Sequence, residues 1–153
     1  MPEAINDASG LIDLPANADL LRLLNYWDAK RAGRHYPNRA DIDPLDLRFM
    51  LDRITLTEVH ENPRRYRLRL VGTWWHRILG FESTGMWMED LTQPNLHRIT
   101  VEFYQAMIES KQPRFRKRDT ILDDRLLQYE ILLLPLSEDG ENISMIVVGI
   151  GPE

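Results

Sequence analysis

Cysteine is absent from the 153-residue sequence, and no apolar run approaches the length of a membrane-spanning helix. The first absence excludes disulfide bonds, thiolate zinc sites and thiol nucleophiles. The second argues against membrane insertion, because a spanning helix takes about 20 apolar residues. The first residues also lack the basic and apolar regions of a secretory signal. We therefore predict a cytoplasmic protein.

Basic residues are fewer than acidic ones: the sequence has 19 Lys and Arg, 24 Asp and Glu, and a net charge of −5. Four carboxylates and no basic residue lie in the first 19 residues, so the remainder of the chain is close to neutral. A near-neutral body attracts phosphate groups weakly. We predict no nucleic-acid partner, a loose leader over residues 1–17 and a single domain over residues 18–153.

Helical periodicity marks two long amphipathic helices. The first is capped by Asp19, ends at Gly33 and carries the apolar face Leu20, Leu21, Leu24 and Trp27. The second covers residues 95–110, opens at Asn95 and closes before Pro113. Between them, Asp43 caps a short helix that begins at Pro44 and runs to about Met50, and another short helix through residues 74–79 stops at Gly80.

Alternating and continuous apolar runs predict five strands. The first two, Ile54 to His60 and Tyr66 to Gly72, form a hairpin through Asn62-Pro63, with Tyr66, Leu68 and Leu70 facing the core. Three more strands cover about 115–122, 126–136 and 143–150. The last two strands carry uninterrupted apolar runs, which predicts burial on both faces and a central place in the sheet.

A set of short motifs supports a family assignment. They are Tyr26-Trp27, Arg31 and Gly33, then Pro37-Asn38-Arg39-Ala40-Asp41-Ile42-Asp43-Pro44, then Tyr66-Arg67-Leu68-Arg69-Leu70-Val71-Gly72-Thr73, then Gly80 and Thr84-Gly85. Over roughly residues 24–150 the sequence resembles a bacterial, single-domain branch of the PAS superfamily. The resemblance implies an α+β domain whose five-stranded antiparallel sheet places the first hairpin beside the last strand. Crossover helices cover one face, and the N-terminal amphipathic helix is left for the other.

The same resemblance implies a sensory or signalling module that acts through protein–protein interaction, without catalysis. It implies no particular cofactor, so the cofactor is left unknown. A ligand pocket for a small apolar or amphipathic molecule would lie between the inner sheet face and the long crossover helix. Its candidate lining residues are Trp74, Trp87, Phe103, Met107 and Tyr129; the alternative for these side chains is a filled core.

We predict that the protein forms a homodimer, with Leu20, Leu24 and Trp27 of the N-terminal helix at the interface. Two basic clusters, Arg64 to Arg69 and Lys111 to Arg118, are interpreted as solvated or partner-facing sheet edges. The signalling partner protein is not identifiable from the sequence.

Catalytic and metal-binding signatures are missing from the sequence pattern. The four histidines are scattered, and the adjacent carboxylates Glu89-Asp90 and Asp123-Asp124 serve turns as readily as acid–base chemistry. We therefore predict neither a catalytic nor a metal site. Two alternatives stay open: a ligand-independent interaction scaffold, and a cryptic enzyme on a cone-shaped α+β fold of the nuclear-transport-factor type.

Overall fold

Five antiparallel strands form the main sheet of the computed structural model, which describes residues 6–7, 10–11 and 14–153. The leader predicted for residues 1–17 lies mostly outside the described residues. Two two-residue strands, β1 (Asn6–Asp7) and β2 (Gly10–Leu11), pair with each other. The main strands are β3 (Ile54–His60), β4 (Arg65–Val71), β5 (Arg114–Leu122), β6 (Arg125–Leu136) and β7 (Met145–Pro152). The α-helices are α1 (Ala18–Arg31), α2 (Thr73–Leu79) and α3 (Pro94–Ser110).

The sheet order is β4-β3-β7-β6-β5, so the first hairpin lies beside the last strand, as predicted. The two strands with uninterrupted apolar runs, β6 and β7, are both interior strands. Strand β7 is the middle one, and its residues 146–151 are all buried. Helix α1 covers one face of the sheet, whereas α2 and α3 cover the other. No helix of the described residues is both long and apolar enough to cross a membrane.

Helix α1 begins two residues earlier than predicted, because Asn17 is its cap. The Asn17 Oδ1 atom accepts hydrogen bonds from the amides of Asp19 and Leu20 at 3.0 and 3.1 Å. The prediction of Asp19 as the cap is therefore wrong. Asp19 lies inside the first turn, where its carboxylate pairs with Arg53 at 2.6 Å.

Two glycines in β7 let α1 lie directly on the sheet. A Cβ atom added to Gly149 would stand 2.6 Å from Leu23 Cδ2 and 2.9 Å from Leu20 Cδ2. At Gly151 an added Cβ would stand 2.7 Å from Asn17 Cγ. All three distances are shorter than real carbon–carbon contacts, so the bare backbone of β7 defines how closely α1 packs.

Strand β6 holds both ends of α1 through polar groups. The buried carboxylate of Glu130 accepts hydrogen bonds from the amides of Ala16 and Asn17 at 3.2 and 2.9 Å. Near the other end of the helix, Trp27 Nε1 donates to the carbonyl of Pro135 at 2.8 Å. Because a buried polar group without a partner is costly, these bonds favour a single placement of α1 along the sheet.

The connection from α1 to the sheet is built from 3₁₀ turns. Asp43 caps the first amide of the turn Pro44–Leu47 at 3.0 Å, which confirms the predicted cap and the predicted place of Pro44. The prediction of one helix to Met50 is wrong. The chain instead leaves the turn after Leu47 and makes a second 3₁₀ turn, Leu51–Arg53, that leads directly into β3.

A β-bulge corrects the predicted faces of β4. Thr57 pairs with Leu68 while its neighbour Leu56 pairs with Leu70, so Arg69 is an extra residue. The extra residue breaks the alternation of side chains. Tyr66 and Leu68 face the core as predicted, but Leu70 is 39% exposed and Val71 is buried in its place.

The two helices on the opposite face begin and end close to their predicted positions. Helix α2 stops at Gly80, whose φ of +84° suits the left-handed conformation that glycine tolerates best. Helix α3 has Pro94 at its first position and makes no side-chain capping bond, so the prediction that Asn95 opens it is wrong. It ends at Ser110, with Lys111 as its C-cap, before Pro113 as predicted.

One buried hydrogen bond joins α3 to the centre of the sheet. The hydroxyls of Tyr104 on α3 and Thr57 on β3 lie 2.8 Å apart, and Thr57 is fully buried. Burial raises the pKa of the Tyr104 phenol to about 12.

We predict that Tyr104 contributes a pH-dependent part of the stability. In the unfolded chain a tyrosine ionises near pH 10, whereas the folded protein keeps Tyr104 neutral to about pH 12. The contribution is therefore complete below pH 10 and is lost as the pH rises from about 10 to 12. Urea unfolding across this range, for wild type and Tyr104→Phe, should show the difference in free energy of unfolding shrinking as the pH rises. Ultraviolet titration of folded Tyr104 near pH 10 would contradict this assignment.

Replacement of Gly149 by alanine should destabilise the protein by about 1–3 kcal/mol, because the new methyl group overpacks the contact with α1. The free energy of unfolding from urea titration measures this cost. A Leu23→Ala background provides the control, since it removes one of the side chains that the methyl group meets. The alanine at 149 should cost less there than in wild type, and strictly additive costs would show that the contact with Leu23 does not limit the approach.

Candidate functional site

A cavity lies between the sheet and the pair of helices α2 and α3. Its volume is about 50 Å³. On this measure a single water needs roughly 10–15 Å³, so the space holds a few waters or a molecule of few non-hydrogen atoms. The lining residues are Thr55, Leu68, Val71, Trp75, Leu79, Ser83, Met88, Leu91, Leu96, Thr100, Tyr104, Ile131 and Val148.

Two buried hydroxyl groups in this apolar lining have no hydrogen-bond partner. Thr55 is 5% exposed and Ser83 is 1% exposed, and neither Oγ atom meets a donor or an acceptor from the described part of the chain. The third buried hydroxyl of the lining, that of Tyr104, is already bound to Thr57. An unpaired buried hydroxyl costs about 1–3 kcal/mol. The cavity therefore has two polar groups that an occupant could satisfy.

Strand register and a loop bring the two hydroxyls to the cavity. Thr55 pairs with Val71 on one side and with Val148 on the other, and both of these side chains also line the cavity. Ser83 lies in the loop after α2. This loop is held to β4 by two backbone bonds, from Leu68 N to Met86 O at 2.8 Å and from Gly85 N to Leu68 O at 2.6 Å.

None of the five side chains predicted for a pocket lines this cavity. Met107 is fully buried in the core, and Trp74 stacks edge-on against Tyr129, with ring centroids 5.8 Å apart. The hydroxyl that the sequence analysis offered to a ligand is already occupied, because Tyr129 bonds to Thr120 Oγ1 at 3.1 Å.

The remaining two predicted pocket residues pack against arginine side chains. Trp87 lies under the guanidinium of Arg65, 3.8 Å from ring centroid to Cζ. Phe103 lies under Arg118 at 4.8 Å. Both aromatic rings therefore sit away from the cavity lining and serve as platforms for cations.

The rotation of α3 about its axis explains why Phe103 and Met107 do not line the cavity. The helix turns Leu96, Thr100 and Tyr104 toward the cavity, at the i, i+4, i+8 spacing of one stripe. Phe103 and Met107 lie on the adjacent stripe. A pattern of apolar residues predicts the buried side of a helix but does not distinguish which of two neighbouring stripes borders a gap. The alternation Thr55, Thr57 in an apolar strand was the available signal for polar groups on the cavity face.

The three residues predicted for a dimer interface are covered by this chain's own sheet. Leu20, Leu24 and Trp27 are 0%, 1% and 3% exposed in the single chain. Their apolar area is already buried against β6 and β7, so a second chain finds no free surface there. A dimer of this fold would have to use other residues.

The chemistry available in the cavity is that of binding. Among the residues that the structure describes, its lining contains no carboxylate, histidine, lysine or arginine. The phenol of Tyr104 stays protonated at neutral pH, because burial raises its pKa. The walls can therefore offer apolar contact and neutral hydrogen bonds to an occupant.

Comparison with known proteins agrees with this architecture. A family model described as a PAS domain matches residues 16–150. The solved structure of the PAS domain from Bordetella pertussis BvgS shares the fold, with a TM-score of 0.55 and 19% sequence identity over 73% of this chain and 88% of that chain. The search of curated proteins finds no match.

The family match extends from just before α1 to the last strand and so includes every element that encloses the cavity. PAS domains are generally sensory or signalling modules, and they commonly mediate protein–protein interaction. The chain belongs to the PAS domain family.

Proposed function

We propose that this PAS domain is a sensor that binds a small amphipathic molecule in the cavity and signals its presence to a protein partner. The observation that carries the proposal is the pair of unpartnered hydroxyls, Thr55 and Ser83, in a mostly apolar pocket that is partly open to solvent. A ligand with one polar group and a short apolar part satisfies both features.

Helix α2 is the part of the enclosure that we expect to respond to occupancy. It has no fully buried side chain, whereas α1 and α3 each bury four. An element with few buried contacts opens at low free-energy cost. Trp75 and Leu79 of α2 contribute to the lining, so an occupant that presses on the walls would displace this helix first.

We further propose that the protein acts in the cytoplasm as a homodimer. The interface would lie outside the apolar face of α1, which the sheet already covers. Native mass spectrometry of freshly purified protein, compared with the denatured mass, reports the oligomeric state and any retained ligand in one spectrum.

Two substitutions of similar shape test the cavity. Thr55→Val and Ser83→Ala each remove an unpaired hydroxyl and should stabilise the empty protein by about 1 kcal/mol. The same changes should weaken binding of 1-propanol, used as an amphipathic probe and followed through the amide chemical shifts of Thr55 and Ser83. Better stability with poorer binding is the expected signature of a site kept for a ligand.

Ser144→Ala is the matched control, because Ser144 Oγ is also buried without a partner but does not line the cavity. This variant should gain stability without changing the response to 1-propanol. If no mass is lost on denaturation and 1-propanol shifts no cavity amide, the domain is a ligand-independent scaffold.

A further inference from the structure

The two edges of the sheet differ in whether another segment of the described chain covers them. At the β4 edge, the loop over residues 83–87 lies against the strand, and Arg67 pairs with Trp87 in an antiparallel bridge. The amide of Val71 is bound by Thr84 Oγ1 at 3.1 Å. Together with the two backbone bonds of Leu68 to this loop, these contacts occupy the outer side of β4.

The β5 edge has no such cover. Strand β5 pairs with β6 along its whole length, from Arg114–Leu133 to Leu122–Arg125. Between residues 115 and 121, no other part of the described chain donates to or accepts from the β5 backbone. Alternate amides and carbonyls of this strand therefore point outward, and such an edge is a template for a further strand.

One side of β5 presents two arginines on an aromatic platform. The guanidinium carbons of Arg116 and Arg118 lie 5.3 and 4.8 Å from the ring centroid of Phe103. Arg118 is half-buried there, and burial lowers its pKa. Within residues 14–153 neither Arg116 nor Arg118 forms an ion pair with a carboxylate. Glu102 pairs with Arg98 at 3.6 Å and acts on Arg118 only at longer range, and Arg118 Nη2 donates to the carbonyl of Ile99 at 3.5 Å.

A role in preventing aggregation alone does not account for this arrangement. Charges that only protect a sheet edge work best when they are fully hydrated. Arg118 instead gives up part of its hydration to pack on Phe103, and the ring holds both guanidinium groups in place. Guanidinium groups that are held in place without a carboxylate partner are suited to binding a carboxylate from another molecule.

The other side of β5 ends in an exposed apolar pair. Ile121 is 69% exposed and lies directly opposite Leu126 of β6, which is 59% exposed. Lys117 lies on the same side of the strand, and its side chain is solvent-exposed. The edge thus presents arginines on one face and, toward the hairpin tip, an apolar surface on the other.

We propose that the β5 edge binds an extended acidic segment of a partner protein, which adds to the sheet as a sixth strand. Carboxylates at alternate positions of the segment would face Arg116 and Arg118, and the intervening positions would be apolar where they pass Ile121. Strand addition of this kind draws affinity from main-chain bonds and specificity from alternate side chains.

Charge and backbone geometry favour an acidic polypeptide over a second copy of β5 or a nucleic acid at this edge. A second copy of β5 would bring two basic strands side by side, which like-charge repulsion opposes. A nucleic acid would match the arginines but offers no strand of amides and carbonyls to the open edge. An acidic polypeptide satisfies both the charges and the backbone.

The test uses a fluorescein-labelled peptide of alternating Val and Glu, matched to the length of β5, with the full chain. We expect saturable binding by fluorescence anisotropy and slower amide exchange for residues 115–121. The same peptide with Lys in place of Glu should not bind. A Val/Glu peptide N-methylated at alternate residues should bind at least about fivefold more weakly, because it lacks the bonding edge.

Substitutions locate the site on the chain. Arg116→Gln should weaken peptide binding about two- to fivefold, and the double change with Arg118→Gln about tenfold, as expected for partly exposed ion pairs. Arg69→Gln is the matched control, because Arg69 is an exposed arginine of β4, the strand at the covered edge. Arg116 is more exposed than Arg118, so its single variant tests the site even if the double variant is unstable.

Three results would overturn the proposal. They are no binding of the Val/Glu peptide, equal binding of the N-methylated peptide, and tighter binding of a random DNA duplex than of the peptide with the same dependence on Arg116. None of these results depends on whether 1-propanol enters the cavity.

Discussion

Burial of β6 and β7 on both faces is the constraint on which the rest of this structure depends. Their uninterrupted apolar runs leave no side of the central sheet that water could cover at low cost. One chain must therefore supply a layer for each face. Helix α1 provides the first, at the distance that the bare backbone of Gly149 permits. Helices α2 and α3, which enter between β4 and β5, provide the second.

The two layers do not cover the sheet equally well, and the cavity lies under the layer that covers it less completely. The layer made by α1 is joined to the sheet by interlocking leucines, by Glu130 and by the indole of Trp27. The other layer includes a seven-residue helix without a fully buried side chain. A short helix cannot fill the width of a twisted sheet, and the gap beneath it holds the unpaired hydroxyls of Thr55 and Ser83.

Local pattern was sufficient for much of the fold. Periodicity located β3 from Ile54 to His60 and identified Asp43 as a cap, while the family resemblance supplied the strand order. Sequence pattern did not predict the features that depend on how strands and helices align with one another in the fold. The extra residue Arg69 reverses the side on which Leu70 lies, and a one-residue bulge has no reliable signature in composition. The choice of Thr100 over Phe103 at the cavity depends on the rotation of α3 about its axis.

An open edge on only one side of a sheet makes any growth of that sheet self-limiting. Because the loop over residues 83–87 occupies the outer side of β4, a strand can be gained at β5 but not at the opposite end. A repeating head-to-tail stack requires two complementary free edges on each unit, and in the described part of the chain the five-stranded sheet has one. Assembly through its sheet would therefore stop after a single addition, giving a complex of defined stoichiometry instead of a fibre.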